Sequence, residues 1–163
     1  MGLPGTFYVA NITPAGIGDW TDGEIFRAIT TGVSKEGQAL FSIMPHPYYG
    51  QVAQEDIEAV ITYLRTLPAI ENKVPASEVD FPMNFILNTI PQKAHLQPVP
   101  SKTDPVLYGK YLITAACADC HTMKENGQNI LAMEFAGGME FPIPTGGRVQ
   151  SANLTPDKTG LGN

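Results

Sequence analysis

The residues most able to do chemistry lie together, because two residues separate Cys117 from Cys120 and His121 follows directly. Two thiols at this spacing can add to the vinyl groups of a haem while the adjacent imidazole reaches the iron. The chain has only these two cysteines, so their expected role is local chemistry rather than disulfide scaffolding. The pattern predicts one haem c, covalently attached through Cys117 and Cys120 and ligated by His121.

Two other chemistries use the same residue types. A thioredoxin-like redox pair needs a βαβ context, which the sequence does not indicate. A zinc site needs further cysteine or histidine ligands, and His46 and His95 are the only other histidines in the chain. Covalent haem attachment is therefore the favoured interpretation.

A haem iron that only shuttles electrons needs a sixth ligand, and a methionine thioether raises its reduction potential relative to a second histidine. Met44 is the favoured ligand, because Pro45 stiffens the loop after it and favours extended backbone at Met44. Methionines also serve simply as core side chains that fill gaps. The competing ligands are His46, Met83, Met123, Met133 and Met139.

The composition describes a globular chain with a modest core. The 163 residues are 43% hydrophobic and 16% charged, enough for one or two small units, and 16 glycines with 14 prolines predict short helices joined by long loops. The net charge of −6 argues against nucleic acid and anionic membranes and favours a basic partner. No apolar run approaches the ~20 residues of a membrane span, and no signal peptide is expected in this chain.

Three helices are predicted to position the chemistry. The first begins at Thr21, with capping-box spacing to Glu24, and ends at Gly32. The second covers residues 54–67, and the third begins at Asp104 and runs into Cys117. Residues 34–50 and the segment after His121 are predicted to be loops, which makes the expected fold all-α.

The two ends of the chain are related by a repeat. Residues 5–14 match residues 147–156 in spacing, so that Asn11 is equivalent to Asn153, roughly one period of about 142 residues later. Gly16 and Gly18 match Gly160 and Gly162 after a two-residue insertion. The expectation is a fragment that starts partway through one repeat and stops at the corresponding point of the next.

Together these features resemble class I cytochrome c domains of the tandem, multi-haem kind that occur as cytochrome subunits of periplasmic dehydrogenases. Besides the haem motif, Gly109 and Tyr63 match the small and aromatic residues at a helix crossing in that family. The other matching segments are residues 11–14, 16–20, 44–45, 63–65, 81–84 and 109–112.

The resemblance implies three parts: residues 1–69 as the C-terminal half of one domain, residues 70–103 as a Pro-rich linker, and residues 104–163 as the N-terminal half of the next. The halves are complementary, so the expected fold is cytochrome c-like helices around a haem, in circularly permuted order or as a domain-swapped dimer. Met44 would then ligate the haem held at His121.

Further expectations follow from the resemblance. Arg148 would contact a haem propionate, and Trp20 and Asn153 would line the haem edge. The protein would be an electron carrier rather than an enzyme, with dehydrogenase or oxidase subunits as redox partners, in the bacterial periplasm. The alternatives are a peroxidase-like haem enzyme or sensor with an open distal site, and a structural fragment that binds no haem.

Overall fold

The chain divides into two compact units, Met1–Val99 and Pro100–Asn163. A computed structural model describes residues 4–41, 43–125, 128–143 and 145–162. Within these described residues, three helices have at least ten residues, two in the first unit and one in the second.

The first unit is mainly helical. A two-residue antiparallel pairing joins β1 to β2, with Gly5 opposite Val79. Its elements in chain order are β1 (Gly5–Thr6), α1 (Pro14–Ile17), α2 (Asp22–Thr31), α3 (His46–Tyr49), α4 (Gln54–Thr66), β2 (Glu78–Val79), α5 (Met83–Ile86) and a 3-10 turn (Leu87–Thr89).

The second unit combines a helix with two small hairpins. The strands pair β3 with β4 and β5 with β6, both antiparallel. Its elements are α6 (Pro105–Ala116), α7 (Ala118–His121), β3 (Lys124–Glu125), β4 (Gln128–Asn129), a 3-10 turn (Leu131–Met133), β5 (Glu140–Pro142) and β6 (Arg148–Gln150).

The ends of α2 are those that its sequence predicts. The Thr21 hydroxyl accepts from the Glu24 N–H at 3.2 Å, and the Glu24 carboxylate accepts from the Thr21 N–H at 2.7 Å. This reciprocal pair satisfies two backbone donors that a helix start leaves open. Gly32 ends the helix in the left-handed region at φ 73°, which favours glycine.

The core of the first unit forms where α2 packs against α4. Ile25, Ile57 and Ile61 are buried there, and each stabilises the fold by about 1.5–3 kcal/mol on transfer from water. Trp20 and Phe26 are partly buried against this cluster. The core is small, as the composition predicts.

The helix α6 begins at the predicted cap but buries none of its residues within the described structure. The Asp104 carboxylate accepts from the Leu107 N–H at 3.0 Å, and Pro105 occupies the first turn. Val106 is 77% exposed and Leu107 54%, although both are apolar. The second unit therefore presents an uncovered apolar helix.

The Pro-rich segment packs within the first unit. The Tyr8 N–H donates to Ser77 Oγ at 2.9 Å, and the Asn11 side-chain amide donates to the Ile70 carbonyl at 2.8 Å. Further along, the His95 N–H donates to the Gly50 carbonyl at 2.8 Å. Residues 70–99 thus run back over both the start of the unit and α3.

Two segments predicted as loops contain regular structure. The short helix α3 lies inside residues 34–50. Pro47 fits its first turn, because the backbone N–H groups there have no partner within the helix and the missing N–H of proline costs nothing. After His121 two antiparallel strand pairs form, β3 with β4 and β5 with β6, in a glycine-rich stretch that obscured the strand pattern. The prediction of an all-α chain holds in coarser form: the structure is mostly helical with a few small strands.

Candidate haem site

The C-x-x-C-H residues occupy one helical turn at the end of α6. The Cys117 N–H still donates to the Ile113 carbonyl of α6, at 2.8 Å, and the His121 N–H donates to the Cys117 carbonyl at 3.0 Å. Both thiols are free, with Cys117 partly buried and Cys120 exposed. The turn of α7 therefore brings two available thiols and one imidazole together.

The imidazole of His121 is held in one tautomer. Its Nδ1 lies 2.8 Å from the Ala152 carbonyl oxygen. Because a carbonyl oxygen only accepts, Nδ1 carries the proton and Nε2 keeps a free lone pair. Histidines that bind metals through one nitrogen usually donate the other N–H to such an acceptor, which also makes the ligand more basic.

Gly137 lies between the two partners of this hydrogen bond. Its N–H donates to the His121 carbonyl at 2.8 Å, and it is buried at φ 70°. A Cβ at this position would clash with the Ala152 carbonyl and would come within 2.5 Å of the Ser151 oxygen. Only glycine therefore lets the chain around Ala152 approach the end of α7 this closely.

A side-chain turn at Asn153 continues this segment. The Asn153 amide oxygen accepts from the Thr155 N–H and hydroxyl, both at 2.8 Å. The Asn11 oxygen accepts from the same groups of Thr13, at 3.0 and 2.8 Å. The repeat seen in the sequence is thus a repeated local structure, and Asn153 shapes the backbone beside Ala152.

Gly16 and Gly160 extend the equivalence of the repeats. A Cβ at Gly16 would clash with the Asn11 carbonyl, and a Cβ at Gly160 would approach the Asn153 side chain to 3.0 Å. Each glycine therefore packs closely on the asparagine turn of its own repeat.

Arg148 lies on β6 and is well exposed. Its guanidinium pairs with Glu140 across the hairpin at 2.8 Å. An exposed pair of this kind is worth about 0–1 kcal/mol. Arg148 is therefore free to exchange Glu140 for another anion, and its role as a propionate contact stays a prediction.

Met44 and Trp20 lie in the first unit. Met44 is partly buried in the loop before α3, and its N–H donates to the Phe41 carbonyl at 3.2 Å. The Phe41 ring stacks on Phe7 with centroids 4.3 Å apart. Trp20 packs against the core, and its carbonyl accepts from Arg65. The structure groups Asn153 with the haem motif and places Met44 and Trp20 in the other unit.

His46 follows the Met44-Pro45 pair and is completely buried. Neither of its ring nitrogens has a hydrogen-bond partner among the described residues. Burial lowers the pKa of this imidazole, because the charged form would lose its hydration. His46 is therefore neutral at physiological pH.

The donor set fits a covalent haem. Two accessible thiols and one imidazole with a free Nε2 share a turn, as thioether attachment and axial ligation require. Within the described part of the chain, no group of three or more His, Cys, Asp or Glu residues could hold a metal ion. A zinc site therefore lacks the ligands it needs there.

Two residues of this site escape sequence reasoning. Ala152 contributes only its backbone carbonyl, so its side chain carries no signal. Gly137 is one of 16 glycines, and its need for a left-handed conformation appears only in three dimensions. The repeat directs attention to the adjacent Asn153, which is the nearest signal that the sequence offers.

No protein-family model matches the chain. The gluconate 2-dehydrogenase cytochrome c subunit of Pantoea cypripedii is 32% identical over 167 residues, which cover 87% of this chain and 38% of that protein. The alcohol dehydrogenase (quinone) cytochrome c subunit of Gluconobacter oxydans is 30% identical over 154 residues, 84% of this chain and 31% of that protein. A diheme cytochrome c-type protein of Cereibacter sphaeroides is 29% identical over 171 residues, 94% of this chain and 54% of that protein.

These relatives confirm the resemblance that the sequence carries. Each match covers most of this chain but only part of the relative. The chain spans about a third of the length of the alcohol dehydrogenase cytochrome c subunits that it matches.

Proposed function

We propose that this chain, a c-type cytochrome related to the cytochrome subunits of dehydrogenases, transfers electrons through one haem c attached to Cys117 and Cys120. The hydrogen bond from His121 to the Ala152 carbonyl carries the proposal, because it leaves Nε2 as a ligand with a fixed direction. The relatives favour an electron carrier and not a peroxidase-like enzyme with an open distal site.

The residues of the candidate haem site have distinct tasks. The bound haem supplies a reversible one-electron change at iron. Cys117 and Cys120 would tether the haem to the turn of α7, and His121 would offer Nε2 as a ligand to its iron. Ala152 and Gly137 keep that imidazole from rotating, so the ligand needs little rearrangement when the charge of the site changes.

Met44 is the proposed sixth ligand. A thioether favours the reduced iron more than a second imidazole does, which suits a carrier that accepts electrons from a dehydrogenase. Met44 lies in an irregular loop between helices, where Pro45 restricts the backbone. Arg148 is proposed to contact a propionate, with Trp20 and Asn153 at the haem edge.

The two units are proposed to complete one cytochrome domain in circularly permuted order, or in a domain-swapped dimer. Each unit exposes an apolar helix face: Val60 and Tyr63 on α4 are 49% and 65% exposed, and Val106 is exposed on α6. A Cβ at Gly109 would meet no atom within 4 Å, so that part of α6 is open to close packing. Uncovered apolar faces of this kind are unfavourable in water.

The proposed partners are redox subunits of a dehydrogenase or oxidase, and the proposed setting is the bacterial periplasm, where c-type haem is attached. The net charge of −6 favours a basic docking surface on the partner. No helix in the described residues has the length and apolarity to cross a membrane.

The test replaces Met44 by Ala in protein matured with covalent haem, with Met83→Ala as the matched control. Wild type and Met83→Ala should show the weak near-infrared band of methionine-ligated ferric haem, and Met44→Ala should lose it while keeping its haem mass. Loss of the band in Met83→Ala, with the band retained in Met44→Ala, would overturn the assignment. Light scattering of the same samples separates the permuted monomer from the swapped dimer.

A further inference from the structure

We infer that the contact between Gly32 and His46 fixes the backbone of residues 43–46 in the loop before α3 and thereby presents Met44 to the haem iron. His46 is then a positioning residue and not itself a ligand. This inference rests on the proposed function, because it concerns how the first unit supplies its methionine.

The first observation is steric. A Cβ on Gly32 would lie 2.5 Å from Cδ2, 2.6 Å from Nε2 and 2.8 Å from Cγ of His46. Real Cβ atoms essentially never approach another atom below 3.0 Å. The imidazole therefore lies against the bare Cα of Gly32, and any side chain there would push the ring away.

The second observation is that the same glycine holds the other end of the loop. The Gly32 carbonyl accepts from the Leu40 N–H at 2.8 Å. The chain after α2 therefore contacts Gly32 at two points: Leu40 through this hydrogen bond, and His46 through its ring. Between these two points the His46 N–H donates to the Met44 carbonyl at 2.7 Å. The position of His46 is therefore transmitted directly to the backbone of Met44.

The third observation concerns the residue type. Among the described residues, no hydrogen-bond partner satisfies the buried ring nitrogens of His46, and burying unpaired polar atoms costs free energy that an apolar side chain would not. This observation favours a positioning role for the ring over a role in general stability. The contact requires a flat ring at position 46, because that ring packs against Gly32, the left-handed glycine that ends α2.

The experiment compares Gly32→Ala with Gly37→Ala in the full haem-loaded chain. Both glycines have positive φ, 73° and 81°, so both variants suffer similar backbone strain. Nothing lies within 4 Å of a Cβ at Gly37, so only Gly32→Ala displaces His46. The difference between the two variants isolates the contact.

The readouts are the near-infrared methionine band and competition by added imidazole for the ferric iron. Gly32→Ala should lose most of the band and bind imidazole about tenfold more tightly than Gly37→Ala, because the methionine-bound state is less populated. His46→Phe should retain the band because a flat ring remains, whereas His46→Ala should weaken it. Combined with His46→Ala, the Gly32→Ala change should have an effect within about twofold of Gly37→Ala.

Each contrary result overturns the inference in a recognisable way. Equal bands and equal imidazole affinity in Gly32→Ala and Gly37→Ala would leave Met44 as ligand but remove the role of the contact. Loss of low-spin haem in His46→Phe would make His46 a ligand. Absence of the band in wild type would overturn Met44 ligation itself and this inference with it. If Gly32→Ala does not fold, the comparison of His46→Phe with His46→Ala decides.

Discussion

At His121, one backbone hydrogen bond decides which ring nitrogen can bind a metal. The Ala152 carbonyl accepts a hydrogen bond from the Nδ1–H, and Gly137 allows that carbonyl to come close. The spacing of the two cysteines and the histidine alone predicts a haem motif. It does not predict the acceptor, because a backbone oxygen has no sequence signature and its position depends on a glycine with φ 70°.

Asn153→Ala tests how far the asparagine turn supports this arrangement. The change removes the acceptor of the Thr155 N–H and hydroxyl and the donor to Thr159, so the second unit should lose about 1–3 kcal/mol of stability. The readout is urea unfolding of the haem protein, followed by the Soret absorbance.

Asn88→Ala is the control, because the contact that the described residues give the Asn88 side chain is long and exposed, to the Asn84 carbonyl at 3.4 Å. Its unfolding midpoint should match wild type. Equal midpoints for Asn153→Ala and Asn88→Ala would show that the turn does not support the haem side of the unit.

At the scale of the elements, helix α2 links stability to pH through its capping box. The hydrogen bond from the Thr21 N–H holds the pKa of Glu24 below its ordinary value of 4.5, with smaller contributions from the Thr21 hydroxyl and nearby cations. A carboxylate with a lowered pKa stabilises the folded state above its ordinary pKa, and this stabilisation is lost as pH falls through the folded value.

Glu24→Gln should therefore lower the urea midpoint relative to wild type at about pH 7, and the difference should shrink below pH 4.5. Far-UV circular dichroism across this range measures it. The Thr21→Ala variant removes the hydroxyl and the γ-methyl group but keeps the backbone N–H that donates to Glu24. Its difference in midpoint from wild type should therefore change less with pH. A difference that grows towards acid pH would contradict the capping role of the carboxylate.

Arg65 connects α4 to the segment before α2. Its guanidinium donates to the Ile17 carbonyl at 3.1 Å, to the Trp20 carbonyl, and to the Asp22 carboxylate at 2.9 Å. Lysine cannot reproduce this planar set of donors, so Arg65→Lys should cost about 1–3 kcal/mol.

Arg148→Lys is the matched control for Arg65→Lys, because lysine keeps the positive charge next to Glu140 and the proposed propionate, so the exposed site should lose less than about 1 kcal/mol. Unfolding of both variants, followed through Trp20 fluorescence or helix content, gives the comparison. Equal losses of stability in the two variants would contradict the proposed contribution of the Arg65 hydrogen bonds.

The elements that local rules govern were predictable, and those that tertiary contacts govern were not. The helix start at Thr21, the helix end at Gly32 and the Asp104 cap follow from side chains within a few residues. The short helix α3 instead depends on the buried His46, and the hairpins after His121 depend on cross-strand pairs. Tertiary packing determines whether such short helices and strands form, and a single sequence carries little information about that packing.

At the scale of the whole molecule, the chain consists of two units whose small cores leave apolar helix faces uncovered. The repeat explains the pattern, since Asn11 and Asn153 begin equivalent turns in different units. We propose that the complementary half of a cytochrome domain, from the same chain or from a second copy, covers those faces. In this proposal, ligation of the haem by Met44 depends on the pairing of the two halves.

The most direct measurement is a reduced-minus-oxidised visible spectrum of the purified, matured chain, with acid–organic extraction and a near-infrared scan on the same sample. We expect a c-type spectrum, haem that stays with the protein on extraction, and the methionine band in the ferric state. Haem that extracts into the organic phase, or protein without haem absorbance, would contradict covalent attachment at Cys117 and Cys120. A c-type spectrum without the band would contradict ligation by Met44.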